Sequence, residues 1–173
     1  MLKEKEKMFR YIDAVAPQMA AMSDDIFDHP ELGLNEYHAF ALLTDWLEQE
    51  GFAVERGVAG VETAFRAIYH HGNGGPNIGL LCEYDALPEI GHACGHQLQG
   101  PSILAAAAAL KNSEADGNYT VTVYGTPAEE SVSGKIMMLK NGCTFEELDV
   151  ALMMHGSGAT QVDVKSLALS RFK

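Results

Sequence analysis

The chain has 173 residues, 47% of them apolar, and 24 acidic residues against 12 Lys and Arg give a net charge of -12. That size and composition describe a globular domain with its own core and exclude a disordered segment. The acidic excess excludes a nucleic-acid or anionic-membrane binder, with plain solubility its simple reading, and no apolar run approaches the roughly 20 residues that cross a bilayer.

In chain order, the first element is a helix. Residues 2 to 28 place Met8, Ile12, Val15, Met19, Met22 and Ile26 at helical spacing, with Pro17 as the point where the helix kinks or divides. The charged start Met1-Leu2-Lys3-Glu4-Lys5-Glu6-Lys7 lacks the apolar stretch of a signal peptide, so a cytoplasmic location is expected. His29-Pro30-Glu31-Leu32-Gly33 breaks the helix. A second helix is predicted from about Glu36 to Glu50, with Phe40, Leu43 and Leu47 inward and Gly51 as its stop.

Phe52 to Arg56 and Thr63 to Tyr69 read as short strands, and His71-Gly72-Asn73-Gly74-Gly75-Pro76 as a turn with His70 and His71 at its exposed edge. Asn77 to Glu83 is a buried strand, Gly100 to Lys111 a helix, Tyr119 to Tyr124 a strand, Ser131 to Lys140 a helix and Val150 to Met154 an apolar strand. This alternation predicts an α/β domain with a largely parallel central sheet. Cys82 and Cys143 are expected to be structural thiols, because three cysteines without a secretory signal do not make a disulfide framework. Met137, Met138, Met153 and Met154 read as core packing.

The polar candidates fall just past strand ends. Asp85 follows 77–83, Glu129 and Glu130 follow 119–124, and His155 follows 150–154. Open α/β sheets place their ligand crevice at the carboxyl ends of strands, so these separate segments are predicted to converge. His92-Ala93-Cys94-Gly95-His96 adds two imidazoles and a thiol, a donor set that suits zinc and other borderline transition metals. Gly95 lets the backbone turn and aim Cys94 and His96 at one centre. Adjacent carboxylates repel unless a cation or proton compensates, so one of Glu129 and Glu130 is read as a metal ligand and the other as a base toward water. Their plainer reading is the acidic first turn of the next helix. For His155 the plainer reading is a strand cap before Gly156-Ser157-Gly158. Asp85 can orient a ligand imidazole or contact a metal weakly.

Glu83-Tyr84-Asp85-Ala86-Leu87-Pro88 followed by Gly91-His92-Ala93-Cys94-Gly95-His96 resembles the signature of the metal-dependent amidohydrolases related to aminoacylases and carboxypeptidases. The branch it is most similar to holds aminobenzoyl-glutamate hydrolases, N-acyl-amino-acid amidohydrolases and related dipeptidases. Thr126-Pro127-Ala128-Glu129-Glu130, Met154-His155-Gly156 and the early His29-Pro30-Glu31-Leu32-Gly33 match further motifs of that branch in order. The resemblance implies a three-layer zinc-peptidase domain, a mostly parallel sheet flanked by helices. It implies two divalent ions, zinc or manganese first and nickel or cobalt as alternatives, held by Cys94, His96, Glu130 and His155. Glu129 is implied as the general base and Asp85 as the support of a ligand. His92 belongs to the motif without being a ligand, and Glu83 occupies a position where other branches carry a ligand histidine. The implied reaction is hydrolysis of an amide in an N-acyl-amino acid, an aminobenzoyl-glutamate-like compound or a dipeptide.

Family members run to roughly twice this length, with a lid or dimerisation domain and a last histidine ligand after the region of His155. Residues 1–173 are therefore expected to be the N-terminal part of the catalytic domain, ending in a strand at Ser166 to Lys173. The open sheet edge would favour a homo-oligomer. Two other readings stay in play: a cysteine-nucleophile enzyme using Cys94 with His96 or His92, and a non-catalytic metal-binding half-domain.

Overall fold

The computed structural model describes residues 3–143 and 145–159. The predicted strand at 166–173 lies outside them. The elements are α1 (Lys3–Asp28), α2 (Tyr37–Gln49), β1 (Ala53–Arg56), a short 3-10 turn (Val58–Gly60), β2 (Phe65–His71), β3 (Asn77–Cys82), α3 (His96–Lys111), β4 (Tyr119–Gly125), α4 (Gly134–Lys140) and β5 (Val150–Met153).

The helical stripe of α1 turns inward progressively: Met8, Ile12 and Val15 are half-buried, while Met19, Met22 and Ile26 are buried. The expected division at Pro17 does not occur, and one helix runs through it. Pro17 and Asp13 are both exposed, so the carbonyl that loses its helical donor faces water. α2 buries Ala39, Leu43, Trp46 and Leu47 and stops at Gly51, whose φ of 81° is a left-handed conformation that suits glycine.

The sheet order is β1-β2-β4-β3-β5. β1 pairs antiparallel with β2 and β2 with β4, whereas β3 pairs parallel with both β4 and β5. Four of the five strands thus point the same way and β2 alone is reversed. The Gly72–Pro76 turn connects β2 directly to β3, yet the two do not pair, because β4 inserts between them.

Side chains alternate across a strand, and the two cores follow that alternation. Leu80, Cys82, Val121 and Val123 join the main core with α2 and α3, against which α1 packs. Leu81 and Tyr124 point the other way, into a smaller cluster with Val58, Val61 and Met138 of α4. The result is helices, sheet and helix in three layers. Cys82 is a fully buried core thiol. β1 and β5 are the two edge strands among the described residues, and Val150, Leu152, Met153 and Met154 are exposed at the β5 edge. For Met153 and Met154 the expected core packing is therefore not what the described residues show.

Candidate metal centre

Three adjacent parallel strands end side by side, and the candidate residues sit on the loops that leave them. Glu83 and Asp85 follow β3, Thr126 to Glu130 follow β4, and His155 follows β5. Cys94 and His96 come from the opening of α3, with Gly95 between them at φ 90°. This is the crevice position at the carboxyl ends of an open α/β sheet.

His96 is fully buried at the middle of the group. Its Nδ1 lies 2.9 Å from the Asp85 carbonyl oxygen and 3.1 Å from Asp85 Oδ1. With Nδ1–H donating to these oxygens, Nε2 is left with its lone pair facing the cluster. Nε2 is buried with no hydrogen-bond partner, 3.5 Å from Glu83 Oε2 and 4.0 Å from Glu130 Oε1. Two trios converge around this nitrogen, Cys94–His96–Glu130 and Glu83–His96–His155, each with donor atoms within 4.8 Å of one another. The His155 ring meets His96 edge-on at 5.4 Å. A buried, unpartnered imidazole nitrogen among thiol, carboxylate and a second imidazole fits a divalent transition metal. The set present is therefore compatible with the metal chemistry the motifs imply.

Asp85 ties two loops together. One carboxylate oxygen accepts from His96, and the other accepts from the Glu130 backbone N–H at 2.9 Å. Burial pushes its carboxyl up, but the bonds from His96 and from the Glu130 N–H outweigh that and hold it below the usual range. The same coupling raises His96, against the opposing effect of its burial. Burial raises the half-buried Cys94 thiol, and the nearby Glu130 carboxylate adds to this.

Glu129 and Glu130 are not the first turn of a helix, because α4 begins only at Gly134. They sit on a turn built from below. Ala128 has φ 57°, and its N–H donates to buried Glu36 Oε1 at 2.7 Å. Glu36 Oε2 in turn accepts from Thr63 at 2.9 Å. A Cβ on Gly134 would lie 1.7 Å from the Pro127 carbonyl oxygen, so only glycine permits this close return of the chain. Glu129 is exposed at the rim, and the partial loss of water around its carboxyl, together with the Glu83 and Glu130 charges, raises its pKa above that of an ordinary glutamate.

Glu83, noted at a position where other branches carry a ligand histidine, is buried inside the cluster. Two contributors were not foreseen. Lys135 of α4 pairs with Glu83. Gln99, one turn after His96, accepts from the Glu83 N–H at 2.5 Å and donates to Glu83 Oε2 at 3.1 Å and to the Met154 carbonyl at 2.6 Å. It links the ends of β3 and β5 one residue before His155. Sequence reading gave no signal for it, because Gln99 falls just before the predicted helix start at Gly100. His92 is buried with neither ring nitrogen partnered, and it belongs to neither trio. His70 is exposed as expected, whereas His71 is half-buried and stacks on Tyr119 at 4.7 Å. A cleft of about 250 Å³, lined by Val58, Arg66, Cys143 and Glu147 among others, lies on the α4 side and shares no residue with the cluster.

Comparison with known proteins follows the same residues. The profile of peptidase family M20/M25/M40 matches residues 79–168. The chain is 41% identical over 165 residues to the Xaa-Arg dipeptidase of Mus musculus, covering 88% of this chain and 38% of that protein. It is 36% identical over 173 residues to a p-aminobenzoyl-glutamate hydrolase subunit of Escherichia coli strain K12, covering 87% of this chain and 35% of that protein. Among solved structures, a Bacillus subtilis protein described as a dinuclear metal binding peptidase superposes with a TM-score of 0.71 at 27% identity, over 84% of this chain and 44% of that one. The chain thus spans well under half the length of the relatives it matches.

Proposed function

This chain belongs to peptidase family M20/M25/M40, and from that premise we propose that it carries the metal-binding face of an enzyme that hydrolyses an amide bond next to an amino acid. The observation that carries the reading is the buried, unpartnered His96 Nε2, surrounded by Cys94, Glu130, Glu83 and His155. In this reading Cys94, His96, Glu130 and His155 hold two divalent ions, zinc or manganese before nickel or cobalt. When bound, such ions supply a Lewis-acidic centre that acidifies water and polarises a carbonyl.

The chain's own residues do the rest. Asp85 keeps His96 in the Nδ1–H form and points Nε2 inward. Glu129, at the rim and with no side-chain hydrogen bond among the described residues, takes the proton of the attacking water on its carboxylate and passes it to the leaving nitrogen. Gln99 sets how far the His155 segment lies from β3. The names of the relatives support dipeptides ending in arginine and aminobenzoyl-glutamate as the substrates to try first. Edge strand β5, with its exposed apolar residues, supports assembly into a homo-oligomer. The three unpaired cysteines are consistent with a cytoplasmic setting, and no described helix is long and apolar enough to cross a membrane.

A thiol raised by burial lends no support to Cys94 as a nucleophile. The experiment compares hydrolysis of these substrates by the metal-loaded chain and its Glu129→Gln variant. Turnover that falls about 10²–10⁴-fold in the variant supports the reading. Turnover unchanged by the substitution removes Glu129 from the base role, and no turnover in the parent leaves a metal-binding half-domain.

A further inference from the structure

We propose that Asp25, His29 and His38 form a second metal site, taking a divalent transition-metal ion of the zinc class, that clasps the end of α1 to the start of α2. It shares no residue with the Cys94–His96 cluster and does not depend on the amidohydrolase reading.

Two helices bring the three donors together. Asp25 lies in the last turn of α1 and His29 directly follows that helix, its N–H still donating to the Asp25 carbonyl at 3.2 Å, which keeps the two on one side. His38 is the second residue of α2. The helix start that carries it is fixed by Glu31, whose carboxylate accepts from the His38 N–H at 2.9 Å and the Ala39 N–H at 3.0 Å. One oxygen of Asp25 sits between the two imidazoles, 2.9 Å from His29 Nδ1 and 3.1 Å from His38 Nε2. The rings lie 4.7 Å apart, tilted by 48°.

Zinc bonds of 2.0–2.2 Å to nitrogen and oxygen at tetrahedral angles place the ligand atoms about 3.3–3.6 Å apart. The hydrogen-bond spacings here are a few tenths of an ångström shorter, and His29 Nδ1 also lies 2.8 Å from the Asp25 carbonyl, so an ion would replace these bonds. The three donor atoms all lie within 4.8 Å of one another, so small ring rotations bring them onto one ion. The set is two imidazoles and one carboxylate, a common ligand class for such ions. All three side chains retain contact with solvent, which gives an ion a path in and water the remaining position.

The site also explains what the His29-Pro30-Glu31-Leu32-Gly33 segment does beyond breaking a helix. The Glu31 carbonyl accepts from the Ala86 N–H at 2.8 Å, and Leu32 bridges to Ala86. The corner therefore abuts the loop that carries Asp85. An ion bound to Asp25, His29 and His38 would brace the corner and, through it, that loop.

The test is a zinc count. The chain and its variants are dialysed against zinc at pH 8, where neutral imidazoles favour binding, and bound metal is measured by mass spectrometry. The expected result is one zinc fewer per chain in His29→Ala and in His38→Ala than in the parent. A Cys94→Ser/His96→Ala protein should keep one zinc that vanishes when His38→Ala is added. Equal counts in the parent and the His29→Ala variant would overturn the proposal and leave a hydrogen-bonded His–Asp–His cluster. His29 is 60% exposed, so its replacement does not endanger folding if His38→Ala proves unstable.

Discussion

Asp85→Asn isolates the residue on which the geometry of the main site turns. The wild-type carboxylate accepts two bonds, from His96 Nδ1–H through Oδ1 and from the Glu130 N–H through Oδ2. An asparagine has one carbonyl oxygen, so it satisfies one of these donors and turns its NH₂ group on the other. Whichever way the amide faces, a buried donor meets a donor, at a cost of about 1–3 kcal/mol in stability. If the oxygen stays on His96, the Glu130 turn is displaced; if it stays on Glu130, the NH₂ group faces His96 Nδ1–H, which keeps only the Asp85 backbone carbonyl at 2.9 Å as acceptor and a weaker hold on its tautomer. Loss of such an orienting partner typically weakens metal binding 10–100-fold, which is about 1.4–2.7 kcal/mol at 1.36 kcal/mol per decade. Zinc competition against a chelator of known affinity measures the loss of binding, and urea unfolding of the metal-free protein measures the loss of stability. Binding within twofold of the parent, with unchanged unfolding, would refute the view that Asp85 holds His96 and Glu130 in register.

Other substitutions probe separate contacts. Gln99→Leu removes the partner of both the Glu83 N–H and the Met154 carbonyl, so denaturant midpoints should fall by an amount equivalent to about 1–3 kcal/mol for each orphaned group. Glu36→Gln can keep its bonds to Ala128 and Thr63 while losing a carboxyl whose pKa burial raises. Because ionising that buried carboxyl opposes folding, stability of the parent falls as pH rises through the window from the unfolded to the higher folded pKa; in the variant that dependence should disappear from urea titrations run across acidic pH. In the metal-free protein the Glu129 carboxyl should take up its proton at a pH above that of an unperturbed glutamate, since partial burial and the Glu83 charge raise its pKa; a carboxyl NMR titration with its midpoint at an ordinary glutamate value would contradict this. Leu43→Ala, at a fully buried position of α2, should cost about 2–5 kcal/mol by thermal or urea unfolding.

Much of the architecture could be read from periodicity because local and tertiary preferences agree. The stripes of α1 and α2 end in burial, and Asn77–Cys82, Tyr119–Gly125 and Val150–Met153 are strands at nearly the predicted bounds. The differences have particular causes. α3 starts a full turn earlier than apolar spacing indicates, because a left-handed Gly95 opens it at His96, so the ligand-rich motif itself forms the first turn. α4 starts later than predicted because Ser131 to Ser133 are spent returning the chain to the Pro127 carbonyl. Reversal of β2 is invisible to residue patterning, since strand direction is set by which partner a strand finds.

The site was legible wherever chemistry is concentrated in a short motif, as in Cys94-Gly95-His96 and Glu129-Glu130. It was not legible where a contact depends on strands meeting. Gln99 and Lys135 reach Glu83 only because α3 and α4 flank the β3 end, and Glu36 supports Ala128 across 92 residues of sequence. Likewise His38 lies nine residues beyond His29, and only the corner between α1 and α2 brings both to Asp25.

In the proposed site Cys94, His96, Glu130 and His155 form one metal centre at the ends of three parallel strands. Anomalous diffraction at the zinc edge from zinc-soaked crystals tests it most directly. Anomalous density is expected within bonding distance of Cys94 Sγ and His96 Nε2, with Glu130 and His155 closing around it. Density absent from this cluster, with His96 Nε2 bonded instead to Glu83 or Glu130, would contradict it.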